Sequence, residues 1–250
     1  MSRMDRPLAA ALAGLLILGL CASLTISPAQ GAGPFIQEDF NDLSHWEPLS
    51  FKDIHRRSRY TIVRQGNDFV LRASSQNAAS AIVHQREFNV YRFPILSWRW
   101  KVENLYAHAD ARSKSGDDYP IRLYVLFPYK EEAASTWQKM KYNLVRAWYG
   151  QYPPLACLNY VWTSRRYEVE VLHNAYTDRA RMLPLRMGRD HLGEWVREQR
   201  NIVKDYRRAF GEDPPQTGRL AIMNDSDNTG EQSVSYMDDI RLQPAQKEAD

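Results

Sequence analysis

The stretch Pro94-Ile-Leu-Ser-Trp-Arg-Trp-Lys-Val102 decides how this chain folds. Behind its opening proline, Leu96, Trp98, Trp100 and Val102 alternate with Ser97, Arg99 and Lys101. A period of two marks a strand with one buried face and one wetted face. Two tryptophans on the buried face fill more core than any neighbouring pair, so the other elements are expected to be layered against this strand.

Upstream, Tyr60–Arg64 and Phe69–Ala73 alternate in the same way around Gln65-Gly66-Asn67-Asp68, the turn chemistry of a tight hairpin. Phe35–Trp46 reads as an opening strand and an acidic turn, and Ala79–His84 and Glu87–Val90 as two short strands. Downstream, Tyr106–Tyr119 is polar and aperiodic, a connection long enough to suggest function. Ile121–Phe127 alternates, with Arg122 and Tyr124 on its wetted side, and Leu155–Thr163 does so with Cys157, Asn159 and Val161 opposite Leu158, Tyr160 and Trp162. Val169–Leu172 and Ala180–Met187 are further strands, Pro184 pushing the latter towards an edge. Leu220–Met223 and Val234–Leu242 close the series.

Two segments change period. Over Glu131–Tyr149, Ala133, Trp137, Met140, Leu144 and Trp148 form a helical stripe, ended by Gly150 and Pro153-Pro154. A second helix is expected over Asp190–Phe210, from Leu192, Trp195, Gln199, Ile202, Val203, Tyr206 and Phe210, with Gly211 as its stop. The sum is a mainly β protein: a jelly-roll-type β-sandwich of about ten strands with two inserted α-helices. It is expected to form one domain over residues 35–243, with a polar tail at 244–250.

Residues 1–31 read as a secretory signal peptide: Arg3 and Arg6, an apolar run from Leu8 to Leu24, then small residues, with cleavage after Ala29 or Gly31. The run approaches the length of a membrane anchor, but Gly14 and Gly19 interrupt it. Cys21 follows Leu20, where a lipoprotein signal needs a small residue. The expected address is the periplasm or the exterior, with no stable membrane insertion after cleavage. Cys157 is then the one remaining thiol, so core packing rather than a disulfide must hold the domain, and a buried structural role is expected for it. Lys and Arg total 33 against 30 Asp and Glu, a net charge of +3 without the clustered basic stripe of a nucleic-acid binder.

Three sets of residues carry candidate chemistry. Asp225, Asp227 and Thr229 stand in Asp225-Ser-Asp-Asn-Thr-Gly230, which matches the first half of a calcium loop and suggests a structural calcium. Tyr236 occupies the place of the bidentate glutamate of that motif. Asp117 and Asp118 begin a strand beneath the long loop and, on an extended backbone, would face opposite ways. Arg99, Lys101, Arg122, Tyr124 and Asn159 sit on wetted faces; on neighbouring strands they would make a basic, hydrogen-bonding surface suited to carboxylated or sulfated ligands. No nucleophile elbow, zinc-binding helix or phosphate-binding glycine loop is present.

From about Phe35 to Leu242 the chain resembles an uncharacterised family of exported bacterial proteins, domain of unknown function 3047. The resemblance rests on Ile95–Val102, Gly116-Asp-Asp-Tyr-Pro120, Leu158–Trp162, Tyr176-Thr-Asp-Arg-Ala180, Arg200-Asn201, Asp205–Gly211 and Asp225–Gly230. Ser226 stands where threonine is expected. Membership implies an exported bacterial domain and no assigned activity. Glu38-Asp39-Phe40 and Tyr236-Met-Asp-Asp-Ile240 are more loosely similar to the terminal strands of jelly-roll carbohydrate-binding modules, which implies acidic residues there that often hold a structural calcium.

The expected function is binding of a polysaccharide or glycan through Arg99, Lys101, Arg122, Tyr124 and Asn159, with Asp117, Asp118 and Asp178 at the site. The alternatives are a glycan hydrolase or lyase, with an acid from Asp117, Asp118 or Asp178 and His108 or His173 as partner, and an accessory protein of the envelope.

Overall fold

The strand that decides the fold, Ile95–Val102, buries alternate residues in the core of the computed structural model, which describes residues 33–51, 53–128 and 154–245. The signal peptide at 1–31, the helix expected over Glu131–Tyr149 and the end of the polar tail lie outside the described residues. The described residues belong to one unit, Gly33–Asp250. Among them no helix is long and apolar enough to cross a membrane.

The described residues form thirteen strands rather than about ten: β1 (Ile36–Glu38), β2 (Trp46–Leu49), β3 (Arg59–Gln65), β4 (Asp68–Gln76), β5 (Ala79–Asn89), β6 (Ile95–Val102), β7 (Arg122–Phe127), β8 (Ala156–Thr163), β9 (Leu172–His173), β10 (Ala180–Met187), β11 (Val196–Asn201), β12 (Thr217–Asp225) and β13 (Gln232–Gln243). They form two sheets, as in a sandwich. The first runs β11-β6-β13-β4-β3, with β1 also paired to β13; the second runs β2-β5-β12-β7-β8-β10-β9. The expected hairpin is β3–β4, Gln65 opposite Asp68 and Gly66 at a positive φ of 63°. The two short strands expected near residue 85 are one long strand, β5.

The core follows from the tryptophan pair. Leu96, Trp98, Trp100 and Val102 are all buried, while Ser97, Arg99 and Lys101 are half-buried. Across the sandwich, Trp98 meets Tyr160 at 5.2 Å between ring centroids and Trp100 meets Trp162 at 6.0 Å. The inner faces of β6 and β8 are therefore one aromatic layer, and such contacts add ~0.5–1.5 kcal/mol each beyond area burial.

One expected helix is half strand. Only Ile202–Phe210 is helical (α1), capped by the Asn201 side chain, which accepts from the Lys204 amide, and stopped by Gly211 at φ 75°. Val196–Asn201 instead pairs antiparallel with Ile95–Trp100 as β11. Gly193, at φ 82°, breaks the chain before it. Without β11, one edge of the tryptophan strand would be left without a ladder, and that backbone requirement overrode the side-chain stripe. Glu198 on β11 also accepts from the Trp100 indole at 3.2 Å.

In the second sheet, β9 pairs only with Arg181 and Met182, so the far side of β10 at Pro184 has no described partner. The long segment 106–119 is folded over the outer face of β8: Ala111 and Tyr119 pack on Val161, Leu172 and Met182. This cover buries Val161 on the face of β8 where alternation predicts wetting, and all eight residues of the strand are buried. Cys157 is among them, and burial pushes its thiol up to about 12, as a structural cysteine requires.

Candidate functional site

The outer face of the first sheet is built in cross-strand rows. Arg59 stands opposite Ser74 and Ser74 opposite Val234. One row along, Thr61, Arg72, Tyr236 and Lys101 lie side by side on β3, β4, β13 and β6. Arg72, Ser74 and Gln76 point outward because Leu71, Ala73 and Ser75, between them, fill the core. The segment entering β3 is pinned at the end of these rows: the Arg56 carbonyl accepts from the Ala79 amide at 3.1 Å and the Ser58 hydroxyl donates to the Asn224 carbonyl at 2.5 Å.

These elements enclose an open depression of about 670 Å³ lined by Arg56, Arg57, Arg59 and Arg72 together with Ser74, Gln76, Asn104 and Gln232. No aspartate or glutamate lines it. Among the described residues none of the four guanidinium groups is in an ion pair, and Arg72 donates only to the Ser74 hydroxyl at 3.1 Å. The arrangement can receive several anionic groups at once, with amides and hydroxyls for neighbouring oxygens. The sequence reading missed this set, although Arg56-Arg57-Ser58-Arg59 places three arginines within four residues.

The two first-sheet residues that were expected at a site are already engaged. Arg99 donates to Asp238 at 2.5 and 3.1 Å and to Asp68 at 2.8 Å, and it stacks over Trp195 at 4.8 Å. Burial works against its charge, but these carboxylates raise its pKa above the ordinary guanidinium value. Lys101 pairs with Glu103 at 2.8 Å and lies over the Tyr236 ring at 4.6 Å.

Arg122, Tyr124 and Asn159 belong to the other sheet, so the single basic face expected from five strand residues does not form. Arg122 and Asn159 are buried rather than wetted: the Arg122 guanidinium lies over the Tyr119 ring at 4.4 Å, and the Asn159 amide donates to the Arg181 carbonyl at 3.4 Å. Arg122 forms a two-pronged ion pair with Asp225, and its Nη2 also donates to the Asp117 carbonyl at 3.4 Å. Tyr124 packs beside Ala79, Ala81 and Met223, and Asp178 is exposed in a loop. His108 pairs with Glu231 at 3.2 Å; among the described residues no hydrogen bond joins His108 or His173 to Asp117, Asp118 or Asp178.

Asp117 and Asp118 do not face opposite ways. Asp117 has φ −75° and ψ 48°, which is not extended, and both residues are buried. Asp118 accepts from the amides of Asn228 at 3.2 Å and Thr229 at 2.6 Å, and so joins Asp225 and Asp227. The Thr229 hydroxyl, expected to be a ligand, instead accepts from the Glu231 amide at 3.4 Å. Burial, and then the Asp118 charge, raises the pKa of Asp227; burial above all raises that of Asp117.

Asp39, Asp238 and Asp239 on the terminal strands offer oxygens within 4.8 Å of one another. They do not fit a structural calcium, because three cations already occupy the position: Arg99, Arg197 at 2.9 Å from Asp239, and Arg241 at 2.5 Å from Asp39. Glu38, His45 and His84 also converge. Here the His84 Nδ1 accepts the Arg86 amide at 3.1 Å, so its Nε2 carries the proton and donates to Glu38 at 3.1 Å. A metal would need that lone pair and a donating Nδ1, so the trio is a hydrogen-bond cluster around a carboxylate.

The family model described as a protein of unknown function (DUF3047) matches residues 44–241. No curated protein matches the chain. Among solved structures, the enzymatically active domain of tailspike protein 4 of bacteriophage CBA120 superposes with a TM-score of 0.39 at 7% identity, over 83% of this chain and 20% of its own. The chain thus spans about a fifth of that neighbour's length. The carbohydrate-binding module CBM27-1 of Caldicellulosiruptor saccharolyticus, solved with mannohexaose, gives 0.38 at 10% identity, over 85% of this chain and 98% of the module. The mannan-recognising module TmCBM27 gives 0.34 at 6% identity, over 84% and 96%.

Proposed function

We propose that this chain, which belongs to the family of proteins of unknown function DUF3047, binds an anionic polysaccharide in the arginine-lined depression on the outer face of its first sheet. The observation that carries the reading is the convergence of Arg56, Arg57, Arg59 and Arg72 on about 670 Å³ of open surface with no acidic residue in its lining. Side chains of one sign, held together without counter-charges, raise the local concentration of an oppositely charged ligand. Guanidinium forks match carboxylate and sulfate groups, and Ser74, Gln76, Asn104 and Gln232 suit sugar hydroxyls. The leader at residues 1–31 would deliver the protein to the periplasm or beyond, where such polymers are met.

Affinity electrophoresis through gels containing polygalacturonate, dextran sulfate or neutral dextran tests the proposal. Retardation by the charged polymers alone, weakening with added salt, is the expected result. Equal retardation by neutral dextran, or none by any polymer at low salt, overturns it.

A further inference from the structure

The carboxylate of Glu38, at the end of β1, gathers two imidazoles. His84 on β5 donates to its Oε1 from Nε2 at 3.1 Å, and His45, in the turn before β2, reaches the same oxygen from Nδ1 at 2.8 Å. The Trp46 indole donates to Oε2 at 3.3 Å. Burial alone would raise the pKa of Glu38, but these hydrogen bonds hold it below the ordinary 4.5, so at neutral pH it is ionised and can only accept. His45 Nδ1 must therefore carry a proton, and in the neutral ring Nε2 is left with its lone pair. Among the described residues nothing hydrogen-bonds to that nitrogen. The backbone is fixed as well, the His45 carbonyl accepting from the Gln85 amide at 2.8 Å.

A histidine beside a carboxylate is by itself ordinary; His191 and Glu194 make such a pair at 3.0 Å on the surface. Two further observations set His45 apart. The Glu38 side chain is 7% exposed against 68% for Glu194, and its three hydrogen bonds leave it one position from which to orient the ring. His45 also lines an open pocket of about 320 Å³ together with Phe35, Ile36, Gln85 and Arg86. The Arg86 guanidinium lies 3.8 Å over the Phe35 ring and donates through Nη1 to the Phe35 carbonyl at 2.9 Å. Among the described residues it is in no ion pair. One lining thus holds an oriented base, a cation without a counter-charge and an apolar wall.

We propose that this pocket hydrolyses small carboxylic esters, with His45 as general base, Glu38 as the residue that positions it and Arg86 as donor to the carbonyl oxygen. Water gives a proton to His45 Nε2 as its oxygen bonds to the carbonyl carbon. The Arg86 guanidinium meets the negative charge that develops on the carbonyl oxygen, and ionised Glu38 offsets the charge of the imidazolium. The bond from that carbon to the alcohol oxygen then breaks. The alcohol leaves with the proton from His45, and the acid remains. The pocket shares no residue with the arginine-lined depression, so this activity is independent of polysaccharide binding there.

The test follows release of p-nitrophenol from p-nitrophenyl acetate by the full chain. Its kcat/KM exceeds the rate constant of free imidazole at the same pH by about tenfold or more. His45→Gln lowers kcat/KM by about tenfold or more. The glutamine amide can still donate to Glu38, so the melting midpoint of this variant stays near that of wild type and shows that it folds. Glu38→Gln lowers kcat by about tenfold and leaves KM nearly unchanged, as lost orientation rather than lost binding requires. His191→Gln, in the surface pair, changes neither constant. A rate no greater than that of free imidazole, full activity from His45→Gln or Glu38→Gln, or loss of activity through His191→Gln overturns the proposal.

Discussion

Arg122 and Asp225 form a buried ion pair that joins neighbouring strands of the second sheet, the Arg122 Nε donating to Asp225 Oδ1 at 3.1 Å while Nη2 reaches Oδ2. Removing one partner of such a pair strands the other charge in the interior. Arg122→Met is therefore expected to lose about 3–5 kcal/mol of unfolding free energy. Arg122→Met with Asp225→Leu should recover part of that loss. Urea unfolding of the two variants checks both statements.

Truncating the depression should leave the fold intact and lower binding. Arg59→Ala and Arg72→Ala each remove one fork, a hydrogen-bonding cation worth ~1.5–3 kcal/mol against a charged ligand. Affinity for polygalacturonate is expected to fall about tenfold or more per variant, and the salt dependence should become shallower. Arg99→Ala lies on the same sheet but is committed to Asp238 and Asp68, so it should cost stability and spare affinity.

The two core tryptophans should not respond alike. The Trp100 indole donates to Glu198 at 3.2 Å, whereas the Trp98 indole nitrogen is buried without a partner. Phenylalanine leaves a similar gap at either position, but at residue 98 it also removes an unsatisfied donor. Trp98→Phe should therefore be milder than Trp100→Phe by about 1 kcal/mol, and either alanine variant should cost about 3–5 kcal/mol. Parallel urea titrations would show the order.

Acid should act through Glu38. Burial alone would raise its pKa, but hydrogen bonds from His84, His45 and Trp46 outweigh that and hold it below the ordinary 4.5. A carboxyl depressed on folding contributes stability that is present above 4.5 and lost as the pH falls through the lowered value. Glu38→Gln should thus be less stable at neutral pH by about 1–3 kcal/mol, with the difference closing below pH 4.5. Urea midpoints measured against pH would reveal a parallel offset instead if the assignment were wrong.

Most of the sheet structure was legible because it depends on period. The alternation around Trp98 and Trp100, the Gly66 hairpin and the closing strands are all present. Residues 196–201 were misread as helix because their pairing with β6 is a backbone event, invisible in side-chain spacing. Arg122 and Asn159 were taken for surface residues because alternation describes one strand and its inner face, not what lies over the outer one. The acidic pair Asp225 and Asp227 was visible as a loop motif, but Asp118 joins it from more than a hundred residues away. The arginines of the depression come from the segment before β3, from the start of β3 and from β4, and only the strand order brings Gln232 and Asn104 beside them.

β13 is the last strand in the chain, yet it lies between β6 and β4 at the centre of the first sheet, and it also receives β1, with Ile36 opposite Leu242. The first sheet therefore cannot assemble from a nascent chain in order of synthesis. Until residues 232–243 are available, β6 with β11 and the β3–β4 hairpin are two fragments without the strand that joins them. Such non-local pairing slows folding and makes it wait for the whole polypeptide. Truncation before residue 232, by contrast with the loss of any edge strand, would leave β6 with β11 and the β3–β4 hairpin as pieces that nothing joins.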